Sequence, residues 1–370
     1  MSSIDPQARE RVLLVGVGDR RGQRWLIARS LEELSSLTQT AGGETIESFI
    51  QIVPRYNPAT LMGMGKTQEL AQIARQYAID LFIFDAELSA AQIRTLEEVT
   101  GVRVIDRTTL ILDIFSKHAR TKEAKLQVEL AQLEYRLPRL VGTRTDLSRL
   151  GGGIGTRGPG ERKLEVDRRR IKDRIAVLKD ALKKIERAKA VQRKGRSGMP
   201  RIAVVGYTNA GKSSLVNALA KTRLLTSEYL FSTLDSNTSL MFVPPRYRML
   251  ISDTVGFLRD LPHGLIASFH ATLAEVLDAD ILIHIADATA EDLESKIGTV
   301  EQVLEEIDAH TKPQILVFNK IDRLFPEEKV RLAEKFPRAL FVSAKQKTGM
   351  TELKERLKEF FHAGLTPGPG

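Results

Sequence analysis

The chain contains no cysteine, which excludes disulfides and thiolate metal sites and fits a reducing, cytoplasmic setting. No apolar run approaches the roughly 18 to 20 residues that a bilayer span needs. The opening "MSSIDPQARERVLLVGV" holds no signal-peptide core. A cytoplasmic location without a membrane span is the expectation. The six histidines show no metal-ligand spacing and read as surface or packing residues. No internal repeat is present. What remains is an ordinary hydrophobic share, 42% of 370 residues, enough for two or three domains with their own cores.

A net positive excess is missing from most of the chain and concentrated in one part of it. The net charge is +9, yet residues 141–200 hold 18 Lys+Arg against 7 Asp+Glu, a local +11. The other 310 residues therefore carry −2 together. An even spread would merely aid solubility; this concentration points to an acidic partner such as nucleic acid.

The N-terminal third alternates short apolar runs with helical patterns. "RVLLVGV" (11–17), "ESFIQIV" (47–53), "DLFIFD" (80–85) and "VRVID" (102–106) read as strands. Helical patterns at 30–42, 66–78 and 89–101 separate them, which implies a mainly parallel α/β sheet. "GMGKTQ" (63–68) looks like part of a phosphate loop but lacks the upstream glycine and the leading strand. It reads as the cap of the next helix.

From about Thr108 the pattern becomes purely helical. Leu112, Phe115, Ala119, Leu126, Leu130, Leu133 and Leu137 form one stripe that stops at Pro138. A second stripe, Leu164, Ile171, Ile175, Leu178, Leu182 and Ile185, follows "GGGIGTRGPG". Two such helices predict an antiparallel hairpin with the glycine-rich loop at its tip, an arm roughly 45 Å long. Gly153 to Gly158 fits G-x-G-x-x-G, but a helix leads into it where a dinucleotide site needs a strand. Glycines that admit close backbone approach, followed by Arg157, Arg162, Lys163, Arg168, Arg169 and Arg170, suit the phosphates of an RNA chain. Solvated charged helix faces are the plainer alternative. Glu161, Glu165 and Asp167 amid these arginines read as helix-surface ion pairs.

"RIAVVGYTNAGKSSLVNAL" (201–219) is a strand, a glycine loop and an amphipathic helix. Gly206 to Ser213 satisfies G-x-x-x-x-G-K-[ST] in the setting the motif requires. Its backbone N–H groups, with Tyr207, Thr208, Asn209, Ala210, Gly211 and Ser214 around them, would cradle phosphates. Lys212 would bridge the β- and γ-phosphates, and Ser213 would ligate Mg²⁺. "MLISDTVGF" (249–257) ends a strand in Asp253-Thr254-Val255-Gly256, where the carboxylate suits the magnesium site and the Gly256 N–H the γ-phosphate. The strands "QILVFNKID" (314–322), ending in Asn319-Lys320-Ile321-Asp322, and "ALFVSAK" (339–345), ending in Ser343-Ala344-Lys345, follow.

These four motifs, in this order, resemble the GTPase family of P-loop proteins. The resemblance implies that Asn319, Lys320 and Asp322 read guanine, with Ser343, Ala344 and Lys345 near its carbonyl. It also implies that "LFSTLDSNTS" (230–239) is the first switch, with Phe231, Ser232, Thr233, Leu234 and Asp235 near nucleotide. Thr233 would be the second magnesium ligand, and Thr238 stands as the alternative. Lys212, Thr233 and Gly256 are the candidate catalytic residues. Where Ras-like enzymes carry a water-orienting glutamine this chain has Phe257, so slow intrinsic hydrolysis accelerated by a partner is expected. Asn209 is the residue through which some GTPases recruit K⁺; turn geometry also favours asparagine.

The whole order, with "PATLMGMGKTQEL" (58–70) and "GGGIGTRGPGERKLEVDRRR" (151–170), resembles the HflX family of translation-associated GTPases. Arg162-Lys163 replaces a more usual Thr-Gln, and the chain ends soon after the GTPase part. The expected architecture is α/β: an N-terminal α/β domain (1–107), a helical hairpin arm (108–195) with its tip loop at 142–160, a Ras-like P-loop GTPase domain (196–364) and a disordered tail (365–370). The resemblance implies a chain, monomeric when free, that binds GTP/GDP and the large ribosomal subunit through its rRNA and splits stalled ribosomes. A regulatory switch whose arm recruits proteins, and a factor timing RNA modification or ribosome assembly, are the competing readings.

Overall fold

The computed structural model describes residues 9–20, 23–140, 159–194, 199–220, 222, 224, 230–231, 237–243, 247–259 and 270–365. They divide into two compact units, Met1–Lys117 with Lys125–Leu182, and His118–Ala124 with Lys183–Gly370.

In the first unit β1 (Arg11–Gly18), β2 (Glu44–Ile52), β3 (Leu81–Phe84) and β4 (Arg103–Asp106) form a parallel sheet in the order β2-β1-β3-β4. Helices α1 (Arg24–Ala41), α2 (Met64–Tyr77), α3 (Ala90–Thr100) and α4 (Arg107–His118) connect the strands or follow the last. The central strands are apolar on both faces, as helix-covered parallel strands must be. Leu13, Val15, Phe82 and Phe84 pack with Leu70 of α2 and Leu96 of α3. The "GMGKTQ" segment is a helix start: Gly63 precedes α2, and the Thr67 hydroxyl donates to its carbonyl at 3.0 Å.

One long helix stripe from Leu112 to Leu137 is not what forms. The chain makes α4 and then α5 (Lys122–Arg139), because the Thr121 side chain accepts from the Ala124 N–H at 3.1 Å and opens a new helix. Pro138 lies inside the last turn of α5, one residue before its end, where its lost N–H ends the helix without breaking it. Asp106, at the tip of β4 and fully buried, accepts from the N–H groups of Leu88 and Thr109, the Thr109 hydroxyl and the Tyr135 hydroxyl of α5. Burial and that carboxylate push the Tyr135 phenol well up.

Helix α6 (Pro159–Lys194) begins two residues inside the expected tip loop, so Pro159 and Gly160 are helical; 141–158 lie outside the described residues. Lys179 meets Glu134 at 2.8 Å, and Lys189 meets Glu123, nearer the start of α5, at 2.6 Å. Arg174 also meets Glu129, through two hydrogen bonds at 2.7 and 2.8 Å, so three ion pairs link α6 to α5. Leu178 of the expected stripe is buried, and Arg168, Arg169 and Arg170 are exposed. Asp167 and Arg170 approach at 4.0 Å along the helix surface, an ion pair of the kind expected there.

The second unit holds a six-stranded sheet in the order β10-β9-β8-β5-β7-β6. Its strands are β5 (Arg201–Gly206), β6 (Asn237–Val243), β7 (Tyr247–Asp253), β8 (Ile281–Asp287), β9 (Gln314–Asn319) and β10 (Leu340–Phe341). All pairings are parallel except β6 with β7. Helices α7 (Lys212–Ala220), α8 (His270–Leu277), α9 (Leu293–Glu306), α10 (Pro326–Lys335) and α11 (Met350–Leu365) accompany it. Val204, Ile251, Ile283 and Val317 pack with Leu215 and Leu353 on one face. The parallel strands end on one edge, and ligands of such folds bind there.

His284, in the middle of β8, is 3% exposed, and its Nε2 has no hydrogen-bond partner. Burial pushes its pKa down to about 4. The unfolded chain then binds a proton that the folded chain refuses between the ordinary value near 6.5 and about 4. Stability should fall with pH across that window, by up to about 1.4 kcal/mol per pH unit from this group. Urea melts of the parent and His284→Leu from pH 7 to 4.5 check this. The variant should show the shallower loss, and identical slopes would refute the assignment.

Candidate nucleotide site

Gly206 ends β5, and residues 207–211 turn into α7 in the strand-loop-helix order the motif demands. Asn209 has φ +59 and Gly211 φ +94, both left-handed conformations. Asparagine tolerates that region, and the backbone alone accounts for its presence here. Gly211 needs to be glycine twice over: a Cβ there would stand 2.2 Å from Asn319 Nδ2.

Lys212 is 7% exposed, and its ammonium donates to the carbonyls of Gly206 at 3.2 Å and Tyr207 at 2.9 Å. Burial lowers its pKa to about 8, against the opposing pull of Asp253. A buried cation resting on carbonyls of its own loop is poised for an anion. The Ser213 hydroxyl donates to Asp253 Oδ2 at 2.6 Å, joining the first turn of α7 to the end of β7. Ser214 is the next residue of that turn.

Asp253 is fully buried at the tip of β7, and the Thr254 hydroxyl is committed to the Val204 carbonyl at 2.7 Å. Past Val255, Gly256 lies directly under the loop. A Cβ on it would stand 2.7 Å from Thr208 Cγ2 and 2.9 Å from Lys212 Nζ. Phe257, 3% exposed, is bridged to the loop in parallel: its N–H donates to Gly206 O at 3.1 Å, and Thr208 N–H donates to its carbonyl at 2.8 Å. The Tyr207 hydroxyl accepts from Arg259 N–H at 3.0 Å.

Asn319 ends β9 and fastens two loops together. Its Nδ2 donates to Ala210 O at 2.9 Å, and its Oδ1 accepts from Ala344 N–H at 3.0 Å. Lys320 follows at φ +65, with Nζ 2.7 Å from Asp287 Oδ2 at the end of β8. Ile321 and Asp322 form a short 3-10 turn, and Asp322 Oδ1 accepts from Ser343 Oγ at 2.6 Å. β10 is two residues long, shorter than the run 339–345 expected as a strand. The chain leaves the sheet in a turn closed by Ser343 and Thr348, which brings Ser343, Ala344 and Lys345 to Asn319. Asp287 escaped the sequence reading, although an aspartate ending the apolar run "ILIHIAD" was its signal.

In the first switch the structure describes Phe231, buried at φ +57, whereas Ser232, Thr233, Leu234 and Asp235 lie outside the described residues. Thr238, the alternative to Thr233, belongs to β6 and shares a 2.9 Å hydrogen bond with Ser252 Oγ. That pairing takes it into the sheet. β6 itself was read as the tail of the switch. Arg157 lies outside the described residues, and Arg162 and Lys163 belong to α6. No cluster of three or more His, Asp or Glu suited to a metal occurs among the described residues. No helix among them is long and apolar enough to cross a membrane.

Comparison with known proteins agrees with this arrangement. Residues 28–116 match the family described as GTP-binding GTPase N-terminal, and 118–196 match the GTP-binding GTPase middle region. Residues 201–320 match the family described as 50S ribosome-binding GTPase. The chain is 47% identical over 331 residues to GTPase HflX of Caldanaerobacter subterraneus subsp. tengcongensis, covering 89% of this chain and 76% of that one. It is 41% identical over 369 residues to GTPase HflX of Alkalihalophilus pseudofirmus, 99% and 86% covered. The corresponding Escherichia coli protein is 42% identical over 333 residues, 89% and 78% covered. Among solved structures, the SsGBP and GDP complex aligns with a TM-score of 0.51 at 25% identity, over 96% of this chain and 99% of that one. The second unit is a P-loop GTPase domain, and the chain hydrolyses GTP.

In the guanine-reading role expected of it, the Asp322 carboxylate would accept from the N1–H and exocyclic amine of the base. Asp322→Asn should then weaken GTP binding by roughly 100-fold or more, since the amide meets a donor with a donor. Xanthosine triphosphate, with a carbonyl where guanine has its amine, should gain affinity in the same competition assay. Unchanged GTP affinity would remove Asp322 from the base site.

Proposed function

This chain belongs to the HflX family of GTPases, and on that footing we propose that it is a translation factor that grips the large ribosomal subunit through its basic arm. GTP hydrolysis then sets the lifetime of that grip, and the bound protein splits or rescues stalled ribosomes in the cytoplasm. The observation that carries the reading is the charge distribution: the 60 residues 141–200 hold a net +11 on a chain of +9, and Arg168, Arg169 and Arg170 stand exposed on α6. An exposed cationic helix gains on RNA by releasing its condensed counterions. Arg157, Arg162 and Lys163, close in sequence to those three arginines, would extend the same basic surface. The relatives named HflX and the 50S-binding description of the family that matches 201–320 support the same partner.

At the nucleotide, the backbone N–H groups of 209–213 and the Lys212 ammonium would hold the β- and γ-phosphates, and Gly256 N–H the γ-phosphate in the triphosphate state. The Ser213 hydroxyl and Asp253 carboxylate, 2.6 Å apart, form a hard oxygen pair that suits Mg²⁺ with water and phosphate oxygens completing its shell. Thr233 would join them from the first switch. When bound, Mg²⁺ neutralises charge on the phosphates. Phe257 gives no polar group to the attacking water, so hydrolysis is slow alone and accelerated on the ribosome. The side-chain oxygen of Asn209, at the phosphate loop's left-handed turn, would serve a K⁺ ion that offsets charge as the γ-phosphate departs.

Sedimentation with large subunits tests the partner. In a non-hydrolysable GTP analogue the chain should pellet with them, less so in GDP, with affinity falling steeply as salt rises. Replacing Arg168, Arg169 and Arg170 together with alanine should lower the salt slope by roughly 2. An unchanged slope takes the arm out of the interface, and association indifferent to both salt and nucleotide refutes the reading. With intact ribosomes, GTP should shift material from whole particles to free subunits in a sucrose gradient.

The cation is tested separately. Hydrolysis in K⁺ should exceed that in Na⁺ by roughly tenfold, and Asn209→Ala should remove the difference. Equal rates in the two salts would leave Asn209 with its turn alone.

A further inference from the structure

GTP hydrolysis needs a polar group to hold the attacking water, and the residue after Gly256 is not one. Phe257 is buried, and both its backbone hydrogen bonds go to the phosphate loop. Three described polar side chains of the site are committed. Lys212 rests on two carbonyls, Ser213 donates to Asp253, and the Thr254 hydroxyl is tied to Val204. Thr208 differs. It is 7% exposed, and its Oγ1 is buried with no hydrogen-bond partner.

A buried hydroxyl left unpaired destabilises a fold, and most are paired. Here the unpaired hydroxyl belongs to a phosphate-loop residue whose methyl and Cα stand beside the glycine that would meet the γ-phosphate, and the ammonium that would bridge to that phosphate stands beside the same glycine. Thr208 Cγ2 and Lys212 Nζ are the two side-chain atoms nearest the space above Gly256, within 2.7 and 2.9 Å of where a Cβ would stand. The Thr208 N–H is held by Phe257 O at 2.8 Å, so the residue's main chain is fixed while its hydroxyl waits.

We propose that the Thr208 hydroxyl completes the hydrolytic site that Phe257 leaves open, accepting a hydrogen bond from the attacking water and donating its own to a γ-phosphate oxygen. The water oxygen bonds to the γ-phosphorus, the bond from that phosphorus to the β–γ bridging oxygen breaks, and its electron pair leaves with GDP. The water's proton ends on the released phosphate. Thr208 gains and loses none. The hydroxyl's task is to aim the water in line and to hold the γ-phosphoryl oxygens as charge redistributes, which places it among the catalytic residues. The proposal rests on the assignment of 206–213 as the GTP phosphate loop.

The test uses the full chain and GTP under single-turnover conditions. Thr208→Val keeps the shape of the side chain and removes the hydroxyl. Hydrolysis should fall roughly 10- to 100-fold while affinity for GDP and for a non-hydrolysable GTP analogue stays within about twofold. Binding of GDP with aluminium fluoride, which mimics the transferring phosphoryl group, should weaken in parallel with the rate. Thr208→Ser should restore most of the rate. The nucleotide-free Thr208→Val protein should melt no lower than the parent, because it loses an unpaired buried group. A valine variant that hydrolyses at the parent's rate overturns the proposal, as does a rate loss matched by loss of ground-state affinity. A parent that binds no GTP would refute the phosphate-loop assignment instead, so the two failures are distinguishable.

Discussion

The nucleotide site depends on one side-chain amide. Asn319 reaches from the end of β9 to Ala210 in the phosphate loop and to Ala344 in the loop after β10. Three segments, two of them more than a hundred residues apart in the chain, are thereby fixed before any ligand arrives. Both hydrogen bonds are buried, where an unpaired amide would cost about 1–3 kcal/mol per lost partner. The bond to Ala210 is also what forces glycine at 211, since the amide occupies the space a side chain would take. The residue pattern of two separate motifs is therefore one packing condition. The loop expected to cradle phosphates and the residues expected to read the base cannot drift relative to each other while Asn319 stays paired.

Around the phosphates the order is different, because several groups hold places that a ligand would take. Lys212 donates to its own loop, and Ser213 donates to the carboxylate with which it would share a metal. Arrival of a triphosphate replaces these internal contacts with stronger, charge-assisted ones. The bridge from Phe257 to the loop couples that exchange to the segment after Gly256. Any movement of Gly256 toward or away from a γ-phosphate has to be accommodated by the two hydrogen bonds that Phe257 makes. Lys212, Ser213 and Thr254 are paired at rest, and the Thr208 hydroxyl is not.

Much of this was legible in the sequence because the signals are local. Each nucleotide motif is a short run at a strand end, and a buried parallel strand announces itself by four or more apolar residues together. "RIAVVG" and "QILVFN" could hardly be anything else. What was not legible depended on partners distant in sequence. β6 reads "NTSLMFV", half polar, and becomes a strand only by pairing with β7 as an edge. The break between α4 and α5 turns on one threonine cap, which a continuous apolar stripe conceals. The loop after β10 was taken for strand because "ALFVSAK" is apolar, yet Ser343 leaves the sheet to meet Asp322. The Lys320–Asp287 pair joins two strand ends that no spacing rule connects.

Charge and covalent connection together constrain what the arm can do. The helix carrying Arg168, Arg169 and Arg170 runs on to Lys194, and β5 with the phosphate loop begins at Arg201. Only a few residues therefore separate an element suited to RNA from the strand that positions GTP. An anion as large as an RNA surface would act on the arm through many weak, salt-sensitive contacts, each worth little alone. A triphosphate acts through a few buried, strong ones. The two modes differ in how they respond to ionic strength, which makes their coupling separable: salt tunes the first and leaves the second nearly untouched. A site with a hydrophobic residue in the water-orienting position benefits from that separation. Under the proposed function its hydrolysis would stay slow in free solution and depend on what the arm has found.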